Sequence, residues 1–396
     1  VGDGNIATSD AIFVFTDSAP GISVGDELAV AGTVAEFTPG GASTRNLSTT
    51  QISGVSNVTV ISSGNDLPAA VSLGQGGRVP PSANIDDDAF ASFDPSTDGI
   101  DFFESLEGMR VTAQNAVAVS GTNRFGEIFT VVDGGADASG LSDRGTLNIS
   151  PDDFNPEKVQ IDEDSGVFDF DFPEVNVGDV LGDVTGVVSY GFGNFEILPT
   201  EDFTGNIKSA ELPPEVSSLV GDDDSLTVAS YNVLNLDPIV EDQAKTNNGE
   251  ARNVDDDLGD GRFDAIAAQI VNNLNSPDII GLQEVQDNTG GEIVDDVTSA
   301  SETLQLLIDK IVAAGGPEYE FVDNPFITDE ASGGQPGGNI RTAFLYNPDR
   351  VDLVADSVQT IGGQGAGEAF EGARLPLVAD FEFNGETVTV VNNHFS

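Results

Sequence analysis

The sequence has 396 residues, and its 68 acidic side chains far outnumber the 14 basic ones, giving a formal net charge of −54. This length predicts two or three domains, and the charge excludes a broad basic surface for binding phosphates. The charge instead indicates solvation at high salt, as in a halophilic or marine secreted protein, with calcium-loaded acidic loops as the alternative. There is no cysteine, which excludes disulfides and thiolate metal sites, and no apolar run approaches the length of a membrane span.

Residues 1–65 predict a small all-β module. β-Branched and aromatic residues fill 11–16, hydrophobic residues alternate over 28–37, and a third strand is indicated at 57–61. Residues 66–100 are rich in Pro, Gly, Ser and Asp, a composition that predicts a linker or a long loop.

Residues 101–200 repeat the strand pattern of the first module. Strands are predicted at 109–119 and 127–133, and the Val-Gly-Asp turn of residues 24–26 recurs at 177–179. Two OB-like barrels fit these patterns best. Aromatic residues of such barrels can stack on nucleic-acid bases, although packing in the barrel core is the favoured interpretation for each candidate here. The candidates are Phe13, Phe15, Phe125, Phe129 and Tyr190.

After a second predicted linker at 201–224, the sequence changes to an α/β pattern over 225–396. Amphipathic helices are predicted at 263–274 and 301–314, and the first of them connects two buried strands as a parallel pair requires. The predicted strands span 226–235, 278–284, 342–346, 375–383 and 388–391.

An acidic loop lies between the first strand and the first helix of this half. Asp255, Asp256, Asp257 and Asp260 could bind Ca²⁺ through their carboxylate oxygens. Their spacing does not match an EF-hand loop. A solvated acidic loop is therefore the favoured interpretation, and calcium binding is the alternative.

Polar residues that could carry chemistry stand at the ends of three predicted strands, namely Asn232, Glu284 and His394. Ligands of open α/β sheets bind at the carboxyl ends of strands. Glu284 would bind a hard divalent cation directly, while Asn232 would hold its hydration shell or a phosphate oxygen. His394, the only histidine, suits acid–base catalysis because its pKa normally lies near neutrality. One His without Cys makes zinc a poor candidate and favours Mg²⁺, Ca²⁺ or Mn²⁺.

Asn, Gln-Glu and His at three strand ends, in that order, resemble the motifs of the endonuclease/exonuclease/phosphatase superfamily. The likeness is greatest to secreted nucleases of the ExeM type, which carry OB-like modules ahead of the catalytic domain. The resemblance covers about 225–396 and implies a four-layer α/β/β/α sandwich with catalytic roles for Asn232, Glu284 and His394. Arg374 stands where these relatives carry an arginine and would clamp a phosphate. Arg341 is a weaker substrate-binding candidate.

The leading functional hypothesis from this resemblance is a secreted, metal-dependent nuclease that acts on DNA or RNA. The alternatives are a lipid or sugar phosphoesterase of the same fold and a non-catalytic binding or adhesion protein. The relatives continue into a Gly-Asp-x-Asn strand end and a C-terminal Asp-His pair, which would follow Ser396. We therefore expect that the chain is cut at both ends, at Val1 and at Ser396, and that this piece is inactive by itself.

Overall fold

The computed structural model describes residues 3–16, 18, 20–163, 170–330, 335–371 and 373–395. The chain divides into two compact units, Val1–Pro213 and Pro214–Ser396. This division falls inside the segment 201–224, which the sequence predicts as a linker. The two ends at which the chain is expected to be cut, Val1 and Ser396, lie outside the described residues.

The first unit begins with a three-stranded sheet in the order β1-β3-β2. Its strands are β1 (Phe13–Val14), β2 (Glu27–Phe37) and β3 (Thr49–Ser62). β2 and β3 pair in an antiparallel hairpin, and β1 runs parallel to β3. The described part of this segment is thus an open sheet, and the OB-like module expected for 1–65 stays a prediction.

A second sheet of the first unit closes on itself. Its elements are β4 (Val71–Leu73), α1 (Gly99–Glu104), β5 (Arg110–Ala118), β6 (Glu127–Val131), β7 (Val159–Asp162), β8 (Val180–Gly191) and β9 (Asn194–Pro199). The pairings run β5-β6-β7-β9-β8 and return to β5, with β7 and β9 parallel and the other neighbours antiparallel. Buried residues such as Val111, Ile128, Ile161 and Val184 fill the ring with a hydrophobic core. β4 and the start of α1 lie within 66–100, so this segment is not a featureless linker.

The second unit contains two sheets and two helices. The first sheet has the order β10-β11-β13-β12, and in the second sheet β14, β15 and β17 all pair with β16. The strands are β10 (Val228–Leu236), β11 (Ile279–Val285), β12 (Glu320–Val322), β13 (Arg341–Tyr346), β14 (Asp352–Leu353), β15 (Gln359–Thr360), β16 (Leu377–Phe383) and β17 (Glu386–Asn392). The helices are α2 (Arg262–Asn272) and α3 (Ser301–Ala313). β10 and β11 are parallel, with α2 between them in sequence.

The two faces of β11 are buried against different layers. Ile280 and Leu282 share a core with residues of α2 and α3, such as Ile266 and Leu304, whereas Ile279 shares a core with residues of β16. Because successive side chains of a strand point to opposite faces, the apolar run at 279–282 places β11 in the middle of a helix–sheet–sheet arrangement. The four-layer sandwich that the resemblance implies stays a prediction, and no α-helix follows α3 among the described residues.

Candidate active site

β10 and β11 end side by side at one edge of the first sheet of the second unit. Asn232 lies opposite Gln283 in the parallel register, which then shifts after Asn232 and, on the other side of β11, after Leu282. Glu284 has a φ of 61°, a left-handed conformation that is uncommon for a residue with a side chain and recurs at functional sites. A bulge of this kind re-aims the side chain at the strand end, and here that side chain is the Glu284 carboxylate.

His394 follows β17 and contacts Glu284. The distance from His394 Nε2 to Glu284 Oε1 is 3.2 Å, and the two side chains are only 11% and 20% exposed. Burial lowers the pKa of His394, the positive charge of Arg374 lowers it further, and the Glu284 carboxylate partly opposes both effects. Within the described residues, His394 Nδ1 is buried and has no hydrogen-bond partner. The pair therefore has one imidazole nitrogen that is held by a carboxylate and one buried nitrogen without a partner among the described residues.

A buried amide network ties the end of β17 to β11. The Asn392 side chain donates to the carbonyl oxygens of Leu282 and Ala343, each at 2.9 Å, and accepts from Gln283 Nε2 at 2.6 Å. Gly281 makes room for this contact, because a Cβ atom there would lie 3.1 Å from the Asn392 side chain. The network fixes the strand end from which His394 projects, two residues further on.

Arg374 lies near His394, since its charge lowers the pKa of the imidazole. It lines a cavity of 60 Å³ together with Arg341, Asn324, Thr342 and Gln364. Among the described residues, its Nε is buried without a hydrogen-bond partner. A guanidinium that lines a small cavity and has an unused donor can bind an anionic oxygen.

The Arg341 side chain lies in the interior of the second unit, whereas the sequence suggests a position that faces the substrate. Its side chain is 0% exposed and pairs with Asp323 at 3.0 Å, and it also donates to the carbonyl oxygen of Thr298. Its Nε and Nη2 have no partner within the described residues. Substrate binding by Arg341 therefore stays a prediction, while the contacts observed are those of a buried ion pair.

Glu284 and Asn232 each carry the oxygen donors that a hard divalent cation prefers. Mg²⁺ is commonly held by one or two carboxylates, with water and phosphate oxygens completing its shell. Asn232 Oδ1 accepts a hydrogen bond from the backbone N–H of Leu234 at 2.8 Å, which fixes the amide and leaves one lone pair of this oxygen unused. These two residues suit Mg²⁺, Ca²⁺ or Mn²⁺ equally by chemistry.

The aromatic candidates of the first unit do not share one environment. Phe13, Phe15 and Phe125 are exposed, so the interpretation of these three as barrel core is wrong. Lys158 Nζ lies 4.4 Å from the centre of the Phe129 ring, and Tyr190 accepts a hydrogen bond from the backbone N–H of Leu47 at 3.0 Å. The exposed rings occupy positions at strand ends and turns, where the alternation rule carries no information.

Sequence reasoning missed the role of Asn392 at this site. The residue falls on the inward face of β17, in step with the partly buried Val388 and Val390. A polar residue at an inward position of an alternating strand must find hydrogen-bond partners, because an unpaired buried amide is costly. The polar Asn392 at an inward position of an otherwise apolar strand face is therefore the sequence feature that could have indicated its role.

Comparison with known proteins gives partial matches. A family model described as a domain of unknown function, DUF8508, matches residues 72–209, and no curated protein matches the sequence. Among solved structures, a humanized TDP2 from D. rerio is 18% identical with a TM-score of 0.23, and it covers 42% of this chain and 45% of its own.

Two further solved structures are described as endonuclease/exonuclease/phosphatase family proteins. The protein from Leptotrichia buccalis is 14% identical with a TM-score of 0.26, covering 43% of this chain and 54% of its own. The protein from Bacteroides thetaiotaomicron is 19% identical with a TM-score of 0.23, covering 42% and 49%. This chain thus spans about half the length of the structures it matches.

Among the described residues, no helix has both the length and the apolar character that a membrane crossing requires.

Proposed function

We propose that the chain is part of a secreted, divalent-metal-dependent nuclease that hydrolyses phosphodiester bonds of DNA or RNA outside the cell. The observation that carries the proposal is the contact of Glu284 with His394 at a strand end, with the charge of Arg374 beside the imidazole. A carboxylate for a cation, a group that moves protons and a guanidinium for phosphate are what phosphodiester hydrolysis requires.

Each residue has a distinct role in this proposal. A cation held by Glu284 and Asn232, with Mg²⁺ as the first choice and Ca²⁺ or Mn²⁺ as alternatives, would polarise the phosphate. Glu284 also orients His394, because a carboxylate at Nε2 favours the tautomer with its proton on that nitrogen. Nδ1 is then the proton acceptor. Arg374 holds a phosphate oxygen through its unused donor.

The first unit supports nucleic acid as the substrate class. We propose that the closed ring of β5 to β9 is an OB-like barrel, a fold whose strands and loops bind oligonucleotides. Arg124 lies 4.6 Å from the centre of the exposed Phe125 ring, and Lys158 lies against Phe129. Rings next to cations are the usual combination for stacking bases beside a phosphate backbone. This local pairing of aromatic and basic residues contrasts with the strongly acidic chain as a whole.

Replacing His394 by Ala tests this proposal in the natural full-length protein. We expect the rate of DNA hydrolysis to fall by about 10²–10⁴-fold, because a proton-transfer group is lost while the metal ligands remain. Initial rates with plasmid DNA and with RNA measure the effect. Asn393→Ala is the matched control, since it changes the neighbouring exposed residue and should leave the rates unchanged.

Hydrolysis of a sphingomyelin analogue by the same proteins separates the alternatives. A wild-type protein that cleaves only the lipid contradicts the nuclease proposal and favours a phosphoesterase of the same fold. A wild-type protein that cleaves no substrate in Mg²⁺, Ca²⁺ or Mn²⁺, yet binds DNA, favours a non-catalytic binding protein.

We also propose that the charge of −54 is an adaptation to a saline exterior. Raising NaCl from about 0.1 M to about 1 M shortens the screening length from about 10 Å to about 3 Å and weakens repulsion between carboxylates. The melting temperature should therefore rise by several degrees, as measured by circular dichroism. Sucrose at equal osmolality controls for general exclusion from the protein surface, and a melting temperature that ignores NaCl contradicts the adaptation.

A further inference from the structure

A group of carboxylates outside the candidate active site gathers where β10 ends. Asp237 directly follows β10, and Asp255 and Asp257 lie in the loop that precedes α2. One carboxylate oxygen from each of these three residues lies within 4.8 Å of the other two. The acidic loop is therefore not simply solvated, as the favoured interpretation of the sequence has it. Asp237, which the sequence did not single out, completes the group, whereas Asp256 and Asp260 do not belong to it.

The negative charge of this group exceeds the positive charge of the side chains that pair with it. Asp237 is 0% exposed and Asp257 is 1% exposed, and the buried Glu241 raises the pKa of Asp237 by its charge. The guanidinium that pairs with the group is Arg262, at 2.7 Å from Asp257 and 3.7 Å from Asp255. A buried cluster with this excess must hold protons or a cation.

Backbone hydrogen bonds hold the group in place but leave two of its oxygens unused. Asp237 Oδ1 accepts from Ile239 N and Asp257 Oδ2 accepts from Asp237 N, each at 3.1 Å. The Glu241 carboxylate accepts from Asp255 N at 3.1 Å and from Gly291 N at 3.0 Å. Within the described residues, Asp237 Oδ2 and Asp255 Oδ1 are buried and have no hydrogen-bond partner. A fully buried carboxylate with an unpaired oxygen in such a group indicates that a cation binds there.

We propose that Asp237, Asp255 and Asp257 bind one Ca²⁺ ion, at a site separate from Glu284. Ca²⁺ takes oxygen ligands at about 2.3–2.6 Å, so ligands on opposite sides of the ion lie up to about 4.6–5.2 Å apart, and the oxygens of this group fit within that span. The group contains no nitrogen or sulfur donor, which excludes a zinc-type site. The two positive charges of Ca²⁺ also offset most of the negative charge that Arg262 leaves uncompensated. The half-exposed Asp255 gives the ion a path from solvent.

The site joins the strand that carries Asn232 to the loop before α2, so its expected effect is on stability. Ca²⁺ that binds the folded state alone must raise the melting temperature in a saturable way. Removing one ligand charge should raise the half-saturating Ca²⁺ concentration by at least about tenfold. This inference does not depend on the proposed nuclease function, because both readouts are independent of catalysis.

Thermal melts and calorimetric titration with CaCl₂, in NaCl adjusted to constant ionic strength, test the site. We compare the wild type with Asp237→Asn, Asp255→Asn and the matched control Asp260→Asn, an exposed position in the same loop. The first two variants should lose the high-affinity response, while the control should keep it.

Three results would overturn the site. Ca²⁺ could give no saturable stabilisation, both ligand variants could keep the wild-type half-saturation, or MgCl₂ could stabilise as strongly as CaCl₂ at equal concentration. If Asp237→Asn does not fold, the half-exposed Asp255→Asn decides the question alone, because its substitution leaves the buried residues intact.

Discussion

Replacing Glu284 by Gln in the natural full-length protein is expected to reduce hydrolysis of plasmid DNA by roughly 10³-fold or more. The change removes the only carboxylate among the proposed catalytic ligands and weakens the contact that orients His394. Metal stabilisation of the transition state contributes several kcal/mol, and each 1.36 kcal/mol corresponds to about a tenfold change in rate. Raising the Mg²⁺ concentration should recover only part of the rate, and a Mg²⁺ titration of the initial rate measures both effects.

The control for this variant is Glu318→Gln, the same substitution at an exposed position of the second unit. Its rate and its melting temperature should match those of the wild type. A Glu284→Gln protein that keeps full activity would mean that the cation binds elsewhere, even if the Glu284–His394 contact is real. Because Asn232 alone offers only a neutral oxygen, no compensating ligand exists among the residues assigned to this site.

The elements around the candidate site could be predicted because burial and periodicity agree there. The run at 279–282 is apolar at every position, as a strand buried on both faces requires, and α2 shows its apolar face at helical spacing. The two strands and the helix therefore appear within a few residues of the predicted ranges. The outer helical layer could not be derived in this way, because it came from the resemblance and no residue pattern after α3 indicated it.

The geometry at the strand ends could not be predicted from residue types. Nothing in Gln-Glu-Val indicates that Glu284 adopts a positive φ, since this conformation is imposed by the pairing of β11 with its two neighbours. The same holds for Asp237, which stands in sequence far from Asp255 and Asp257. A contact between the end of a strand and a loop depends on the path of about twenty residues, and spacing alone does not specify that path.

At Arg341 the residue type suggests substrate binding, which stays a prediction, while the contacts observed are those of a buried ion pair. A scarce cation in an acidic chain suggests a phosphate ligand, yet its side chain is fully buried and paired with Asp323. Asp323 also accepts a hydrogen bond from Ala300 N at 2.9 Å, at the start of α3, whose N-cap residue makes no side-chain cap of its own. One carboxylate thus compensates a buried guanidinium and caps a helix.

Replacing Asp323 by Ala is therefore expected to destabilise the second unit by about 3–5 kcal/mol, because an uncompensated charge is left in a buried position. Urea unfolding followed by tyrosine fluorescence measures this loss. The signal comes mainly from the second unit, since of the four tyrosines only Tyr190 lies in the first. The control Asp309→Ala, on the exposed face of α3, should change the free energy of unfolding by no more than about 0.5 kcal/mol.

The double variant Arg341→Met with Asp323→Ala separates the ion pair from the helix cap. If the buried charge dominates, removing the guanidinium as well should restore more than half of the loss, because an apolar side chain of similar length needs no counter-charge. If the double variant is as unstable as Asp323→Ala, the cap on α3 accounts for the effect. A loss below about 1 kcal/mol for Asp323→Ala would instead show that Arg341 does not depend on this partner.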